Sequence, residues 1–561
     1  MRISKSTHRV ARFAAVVLSV FLAVAASGGS ALAQTDLDGS DLIVTGSGPW
    51  NLSYTNSNNS SQSIVAIYNL VNATRYDYTG SFTGNIFIDV THNGYASNDN
   101  RFTFSNTGNN IQGGVAMHNG ILFVSNSNQL VSFSGGLTLD NSVFMAYGNC
   151  DFGLTIPENS FGGLRASGGA INYSGGIGGA GDLVIVTENN NVVNLSGTNT
   201  YSGVTSIGTV QGGTNLHSIL NLNANDTLPS TTVVEIGRSQ NPKYNYTGAS
   251  TARLNLNGTT QTISGLYGGG VAAITNSAAA ASNLTINLAD GADFEYSGTI
   301  AGNSATNVTN LTINGAGNQT LAGNVTNASI TKNGTGALTL SGGTVTLSSL
   351  AVTDGAFNLG SNTAMTVSGK LTLNSSTLDL NGSNLTYTSN VASDFNNVNI
   401  TNTNNDKLST LSIVPSSNLS AAQTFDKKIS GNTRLVVKLP QNQENNSRLI
   451  LNGTNDHTGG LYIEQGTVKI DSYSVLGSNK VIDMKHSSLM TSLTFDGYTI
   501  NLIGNASAGE RGALRLSGGN GLFGAKVTGP GNFEIVYDGA VTLTNTENDY
   551  QGKTYIGNFQ W

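Results

Sequence analysis

One cysteine, seven prolines and a charged fraction of 10% are all that 561 residues offer of the groups that usually staple, break or solvate a chain. The single thiol, Cys150, excludes a disulfide within the chain and reads as a small buried hydrophobe. So few prolines suit a backbone whose N–H groups are mostly needed in strand ladders. The charge content lies far below the ~25% of ordinary soluble domains. Setting aside the four basic residues of the N-terminal segment described next, 25 Lys+Arg against 32 Asp+Glu become 21 against 32, a net charge of −11. No Lys/Arg cluster follows Arg12. That balance disfavours nucleic acid, and none is expected as a partner, because phosphate backbones are held by basic patches. Helical periodicity of useful length is also missing after the N-terminal segment, as is any later apolar run long enough to cross a bilayer as a helix.

Catalytic signatures are equally scarce. The six histidines, His8, His92, His118, His217, His457 and His486, have no second His or Cys at metal-ligand spacing. No GxSxG elbow or Gly-Asp-Ser-Gly string occurs. Gly268-Gly269-Gly270 lacks the lysine and the strand-to-helix setting of a phosphate loop. Two carboxylate groups stand out: Asp36, Asp38 and Asp41 around Gly39, and Asp290, Asp293 and Glu295. The first has the composition of a calcium loop without its spacing or closing Glu, and reads as a solvated N-terminal stretch. The second reads as a turn followed by an outward strand face. No residue is therefore assigned a catalytic, cofactor-binding or metal-ligating role.

What the chain does contain begins with an export signal. Arg2, Lys5, Arg9 and Arg12 precede the apolar stretch from Phe13 to Ala26, and Ala31-Leu32-Ala33 forms a small-residue cleavage motif before Gln34. Residues 1–33 are expected to be removed on export. The apolar stretch is shorter than the ~20 residues of a membrane span.

The rest is built on a phrase written three times: LSGTNTYSGVTSI at 195–207, LNGTNDHTGGLYI at 451–463 and LTNTENDYQGKTYI at 543–556. Tyr201, His457 and Tyr550 are each followed two residues later by Gly203, Gly459 and Gly552, and four residues further on by Ile207, Ile463 and Ile556. Between the copies, runs such as Leu254-Asn255-Leu256-Asn257, Leu338-Thr339-Leu340 and Leu371-Thr372-Leu373-Asn374 alternate apolar and polar residues with the period of half-buried strands. Asn257-Gly258, Asn314-Gly315, Asn333-Gly334, Asn381-Gly382 and Asn452-Gly453 mark corners. Self-similarity without one strict period predicts a solenoid over a propeller. A helix-free chain of this length also exceeds what one sandwich core supports. The expected fold is all-β, a right-handed parallel β-helix. At roughly 22 residues per coil it would have about 24 coils and extend on the order of 110 Å. Inward Val, Ile, Leu and Phe should stack, and corner asparagines should form ladders. Two textures divide it: an aromatic-rich 34–170, a divergent stretch of solenoid or a cap, and 171–561, where the repeat grammar is clearer.

The phrases in 171–561 resemble the autotransporter-associated β-strand repeat of bacterial surface proteins. Leu449 to Gly460 (LILNGTNDHTGG) and Ile330 to Gly342 (ITKNGTGALTLSG) carry the resemblance, with LNLNGTTQTISGLYGGG from Leu254, FEYSGTIAG from Phe294 and YSGGIG from Tyr173 as accessory phrases. The resemblance implies the passenger of a type V secreted protein, carried by an outer-membrane translocator barrel. No alternating ~10-residue strands with aromatic girdles are present to make such a barrel. The chain also stops after the third phrase, where the second continues EQGTVKIDSYSVLG, so truncation is expected. The implied function is non-enzymatic adhesion, aggregation or a structural stalk at the cell surface, with host or neighbouring-cell glycans or proteins as partners. The alternative is a polysaccharide lyase or hydrolase built on a β-helix.

Overall fold

The structure is a computed structural model. It describes residues 34–45, 50–70, 74–92, 100–106, 108–124, 132–208, 216–237, 251–389, 395–417, 419, 421–440, 448–517, 521–536 and 540–557. The export segment at 1–33 lies outside them.

The alternating runs form strands, and each strand lies beside the equivalent strand one turn later. Ala337–Leu340 buries Leu338 and Leu340 and turns Thr339 outward. Leu321 pairs with Leu340, and Leu340 with Leu359, so like side chains pile into a column. A second column runs Leu284, Leu311, Ile330, Leu350, Leu371, and none of the five is more than 1% exposed. Burial of each such side chain contributes roughly 1.5–3 kcal/mol. Because a turn touches only its neighbours, that stabilisation adds up turn by turn.

The result is a parallel β-solenoid of about 20 turns. Every strand pairing among the described residues is parallel except Thr187 with His217 and Glu188 with Leu216. The only helical pieces among these residues are two short 3-10 turns, Tyr473–Leu476 and Ala506–Ala508. The turns are fewer than the 24 expected, because many are longer than 22 residues. Asn314 and Asn333, on successive turns, are 19 residues apart, whereas Asn221 and Asn255 are 34 apart. At ~4.8 Å per turn the stack is roughly 95 Å long.

In the first turns three faces are distinct. One carries Gln34–Asp36, Ser53–Asn56, Phe82–Gly84, Asn110–Ile111 and Ser132–Phe133. A second begins with Leu42–Thr45, Ser63–Leu70 and Ile86–His92, and the third with Arg75–Tyr78, Arg101–Phe104 and Ile121–Val124. The aromatics of 34–170 fill the interior between them. Tyr78 stacks on Phe82 with ring centres 4.5 Å apart, and ring contacts, edge-to-face except for a tilted Phe104–Phe133 pair, continue through Phe104, Phe133, Phe152 and Tyr173. Tyr68, Phe87 and Phe123 instead sit half-buried at outward positions. The strand Phe161–Tyr173 runs across the change of texture and pairs on both sides, so the stack is continuous there.

The repeated phrase also acquires a physical meaning. Tyr201 is fully buried, its hydroxyl 2.6 Å from the hydroxyl of Thr205, and Tyr550 makes the same contact with Thr554. His457 takes this corner position in the second copy, buried, with Nδ1 3.1 Å from the carbonyl oxygen of Thr433. The glycine two residues later lies against the preceding turn. A Cβ on Gly203, Gly459 or Gly552 would come within 2.3, 2.5 or 2.2 Å of a backbone carbonyl oxygen there. The requirement is absence of a side chain, not unusual backbone. Among the expected corners, Asn257-Gly258 and Asn381-Gly382 have both residues in the left-handed region. In Asn314-Gly315 and Asn333-Gly334 only the glycine is there, and Asn452-Gly453 uses neither.

Candidate functional site

Strand alternation turns every second residue outward, and stacking places those residues in columns. One column is Asn149, Asn172, Asn194, Asn221 and Asn255, on strands Ser142–Cys150, Phe161–Tyr173, Val193–Leu195, Leu216–Leu222 and Ala252–Asn255. Its amides are linked head to tail. Each Nδ2 donates to the Oδ1 one turn earlier, at 2.9, 2.7, 2.9 and 3.2 Å in order. Asn255 also donates to Ser277 Oγ at 2.7 Å. Two residues further along each turn, beyond the inward Cys150, Tyr173, Leu195 and Leu222, lies a second column: Asp151, Ser174, Ser196 and Asn223. It extends to Asn257, whose Nδ2 donates to Asn223 Oδ1 at 3.1 Å. The two columns flank a groove of about 380 Å³ lined by Asn149, Asp151, Asn172, Ser174, Asn194, Ser196 and Asn223. Tyr173 supports its floor, donating from its hydroxyl to the Phe152 carbonyl oxygen at 2.6 Å.

A flat counterpart follows. Asn283, Thr285 and Asn287 register with Asn310, Thr312 and Asn314, then with Ser329, Thr331 and Asn333. Asn310 donates to Asn283, Asn314 to Asn287 and Asn333 to Asn314, at 2.9 to 3.0 Å. The asparagine ladders thus form, but along outward strand positions as well as at corners. None of these nine residues is charged.

A third feature has no local sequence motif. His118 lies between Asp89 and Asp140 on neighbouring turns, Nε2 3.4 Å from one carboxylate and Nδ1 3.1 Å from the other. The hydrogen bonds to Asp140 and Asp89 raise its pKa to about 9, so it is protonated at neutral pH. These three residues are 51 positions apart in sequence and meet only because strands register. From residue 426 onward the outer face becomes ionic, with Lys428–Asp456 at 3.0 Å, Lys438–Glu464 at 2.8 Å and an Arg434–Asp483 pair. Glu534, 1% exposed, has its pKa raised by burial, against the pull of Arg511 3.6 Å away.

The carboxylate groups singled out from sequence do not assemble. Asp36 accepts from the Ser57 hydroxyl at 2.5 Å, whereas Asp41 accepts from the backbone N–H of Ile64 at 2.9 Å, so they serve different neighbours. Asp290 is exposed in a turn, and Asp293 and Glu295 are on the outer face of Asp293–Tyr296, as read. No group of His, Cys, Asp and Glu among the described residues could hold a metal ion. Cys150 is 1% exposed, and burial pushes its thiol up to about 12. Compared with known proteins, the chain matches no family model, no curated protein and no solved structure.

Proposed function

We propose that this chain is an exported, non-catalytic surface rod, the passenger part of an autotransporter-like protein, which touches a neighbouring surface through repeated polar contacts. The observation that carries the reading is the outward register of uncharged asparagine, serine and threonine side chains over successive turns. Each contact is weak in water, but a rod presents many at once, and linked contacts multiply in avidity. The basic-then-apolar opening of the chain and its small-residue motif support export, and the resemblance of 171–561 to passenger repeats supports the cell exterior.

The test uses residues 34–561, purified and coated onto beads or displayed on cells. Clumping of the cells or adhesion of the beads to a surface is the expected result, and inert behaviour in both formats rejects the reading. A polysaccharide-degrading enzyme is the other reading, and the Asp89–His118–Asp140 cluster is the acid–base group that favours it. Release of reducing sugar that disappears in His118→Gln would establish it.

A further inference from the structure

We propose that the groove between the two outward columns at 149–223 is a binding site for a neutral polysaccharide chain lying parallel to the solenoid axis. This rests on the surface-contact reading and names the ligand for one face of it.

The argument counts hydrogen-bonding valences. A side-chain amide has two N–H donors and an oxygen with two acceptor sites. In Asn172, Asn194 and Asn221 the ladder uses one N–H and one acceptor site apiece. One donor and one acceptor therefore remain on each of these three rungs, repeating at the turn spacing of ~4.8 Å, whereas Asn255 is already satisfied by Asn221, Ser277 and the Asn257 backbone. The facing Ser174 and Ser196 hydroxyls are exposed; Ser196 can both donate and accept, and Ser174, whose hydroxyl donates to the Cys150 carbonyl oxygen at 3.5 Å, can accept. A partner that satisfies such a comb must itself be long, periodic and equally supplied with donors and acceptors. Polyols joined in a chain have that chemistry.

The lining excludes other classes. It holds no Lys or Arg, and Asp151 is its one charge, so a polyanion would be repelled and left unpaired. It presents no apolar side chain to an amphipathic segment. A peptide adding as a strand needs a free sheet edge, but these rungs face outward from strands paired on both sides. Because the lining has no aromatic ring, binding depends on polar edges of the sugars instead of stacking. The free energy per rung is then small, and affinity must build with the number of rungs covered. From Asn149 to Asn221 the part of the first column that flanks the groove spans four rungs, about 14 Å at the strand spacing.

Affinity electrophoresis of residues 34–561 through gels containing soluble neutral β-glucan, with alginate as the acidic comparison, tests this. Retardation by the glucan that is insensitive to salt, and inhibition by oligosaccharides that strengthens with length until about 14 Å is covered, is expected. The double variant Asn172→Leu/Asn194→Leu and the groove-filling Ser196→Ile should each weaken binding at least tenfold. Asn283→Leu/Asn310→Leu on the flat face should not, and circular dichroism should show all variants folded. Absence of retardation by glucan, equal retardation of the groove variants, or stronger salt-sensitive retardation by alginate overturns the proposal. If cell or bead adhesion persists in any of those cases, the surface-contact reading stands without this ligand. If adhesion is absent too, both fall.

Discussion

Adding one methyl group separates a glycine that the stack requires from one that it merely tolerates. In Gly459→Ala the new Cβ would sit 2.5 Å from the Thr433 carbonyl oxygen, 2.6 Å from the Arg434 nitrogen and 2.6 Å from the Thr433 carbonyl carbon. All three are backbone atoms of the preceding turn, so no side chain can rotate away. Relief requires the turns to part, at a cost of about 1–3 kcal/mol for overpacking. Parting also stretches the Gly459 N–H bond to the Thr433 oxygen, 3.1 Å long, which is worth about 1 kcal/mol. The sum is roughly 2–4 kcal/mol, or about 30- to 1,000-fold in a local opening constant. Gly343→Ala is the control, since its Cβ would meet only Asn324 Oδ1, at 3.7 Å. There the unfolded chain loses freedom and stability should rise by about 0.4–1 kcal/mol. A repeat stack does not unfold as one unit, so a single midpoint misleads. Hydrogen exchange of the Thr433–Lys438 and Leu461–Ile470 amides reads the local effect. Equal protection in the two variants would refute the close-approach explanation of the repeated glycine.

Three further perturbations probe buried and half-buried groups. The pKa of His118 is raised above its unfolded value of 6.5 to about 9, so its ion pairs stabilise fully below pH 6.5 and are lost as pH climbs through about 9. The full shift would be worth roughly 3 kcal/mol. With the three side chains about one-third exposed, solvent screening reduces this to ~1 kcal/mol, visible as a slope in the exchange of Gly114–His118 that His118→Gln removes. Lys332 behaves oppositely: it is fully buried, its Nζ donates to the Asn333, Gly334 and Asp354 carbonyl oxygens, and burial lowers its pKa. The folded state therefore holds that proton less tightly, and stability rises as pH approaches 10.5. Lys332→Met should abolish this rise and cost about 1–3 kcal/mol through the orphaned carbonyls, as melts at pH 7 and 10 would show. Cys150, its thiol pushed up to about 12 by burial, should ignore a thiol reagent at pH 8 until denaturant is added.

The fold was legible because stacking writes itself into sequence. Alternation at Leu338-Thr339-Leu340 identified the buried face, and the spacing of Tyr201, Gly203 and Ile207 marked a corner whose atoms are now accounted for. Turn length was not legible, since a solenoid accepts insertions at corners without disturbing the columns, and Asn221 still finds Asn255 across 34 residues. The candidate faces were legible only in part. Asparagine ladders follow from composition, but which asparagines share a column depends on register. The same holds for His118, whose partners lie 29 residues before it and 22 after it. No local motif marks such a site, because the separation that joins its members differs from turn to turn.

Register also decides what such a surface can become. An inward position is held by the hydrophobic effect, since exposing Leu340 or Leu359 would forfeit roughly 2 kcal/mol each. An outward position carries no such constraint, so its chemistry can change along the rod while the stack remains intact. Here it does change: uncharged ladders from Asn149 to Asn333, with one Arg165–Glu188 pair among them, give way to successive ion pairs from 426 onward. Adjacent turns share their neighbours, so a preference on one rung is repeated by the next only if the side chains match. The amide ladders achieve that match by bonding to one another, which fixes each rotamer and reduces the entropy a ligand must remove. Pre-ordering of this kind is worth more on a rod than in a pocket, because it recurs at every turn that a long partner crosses.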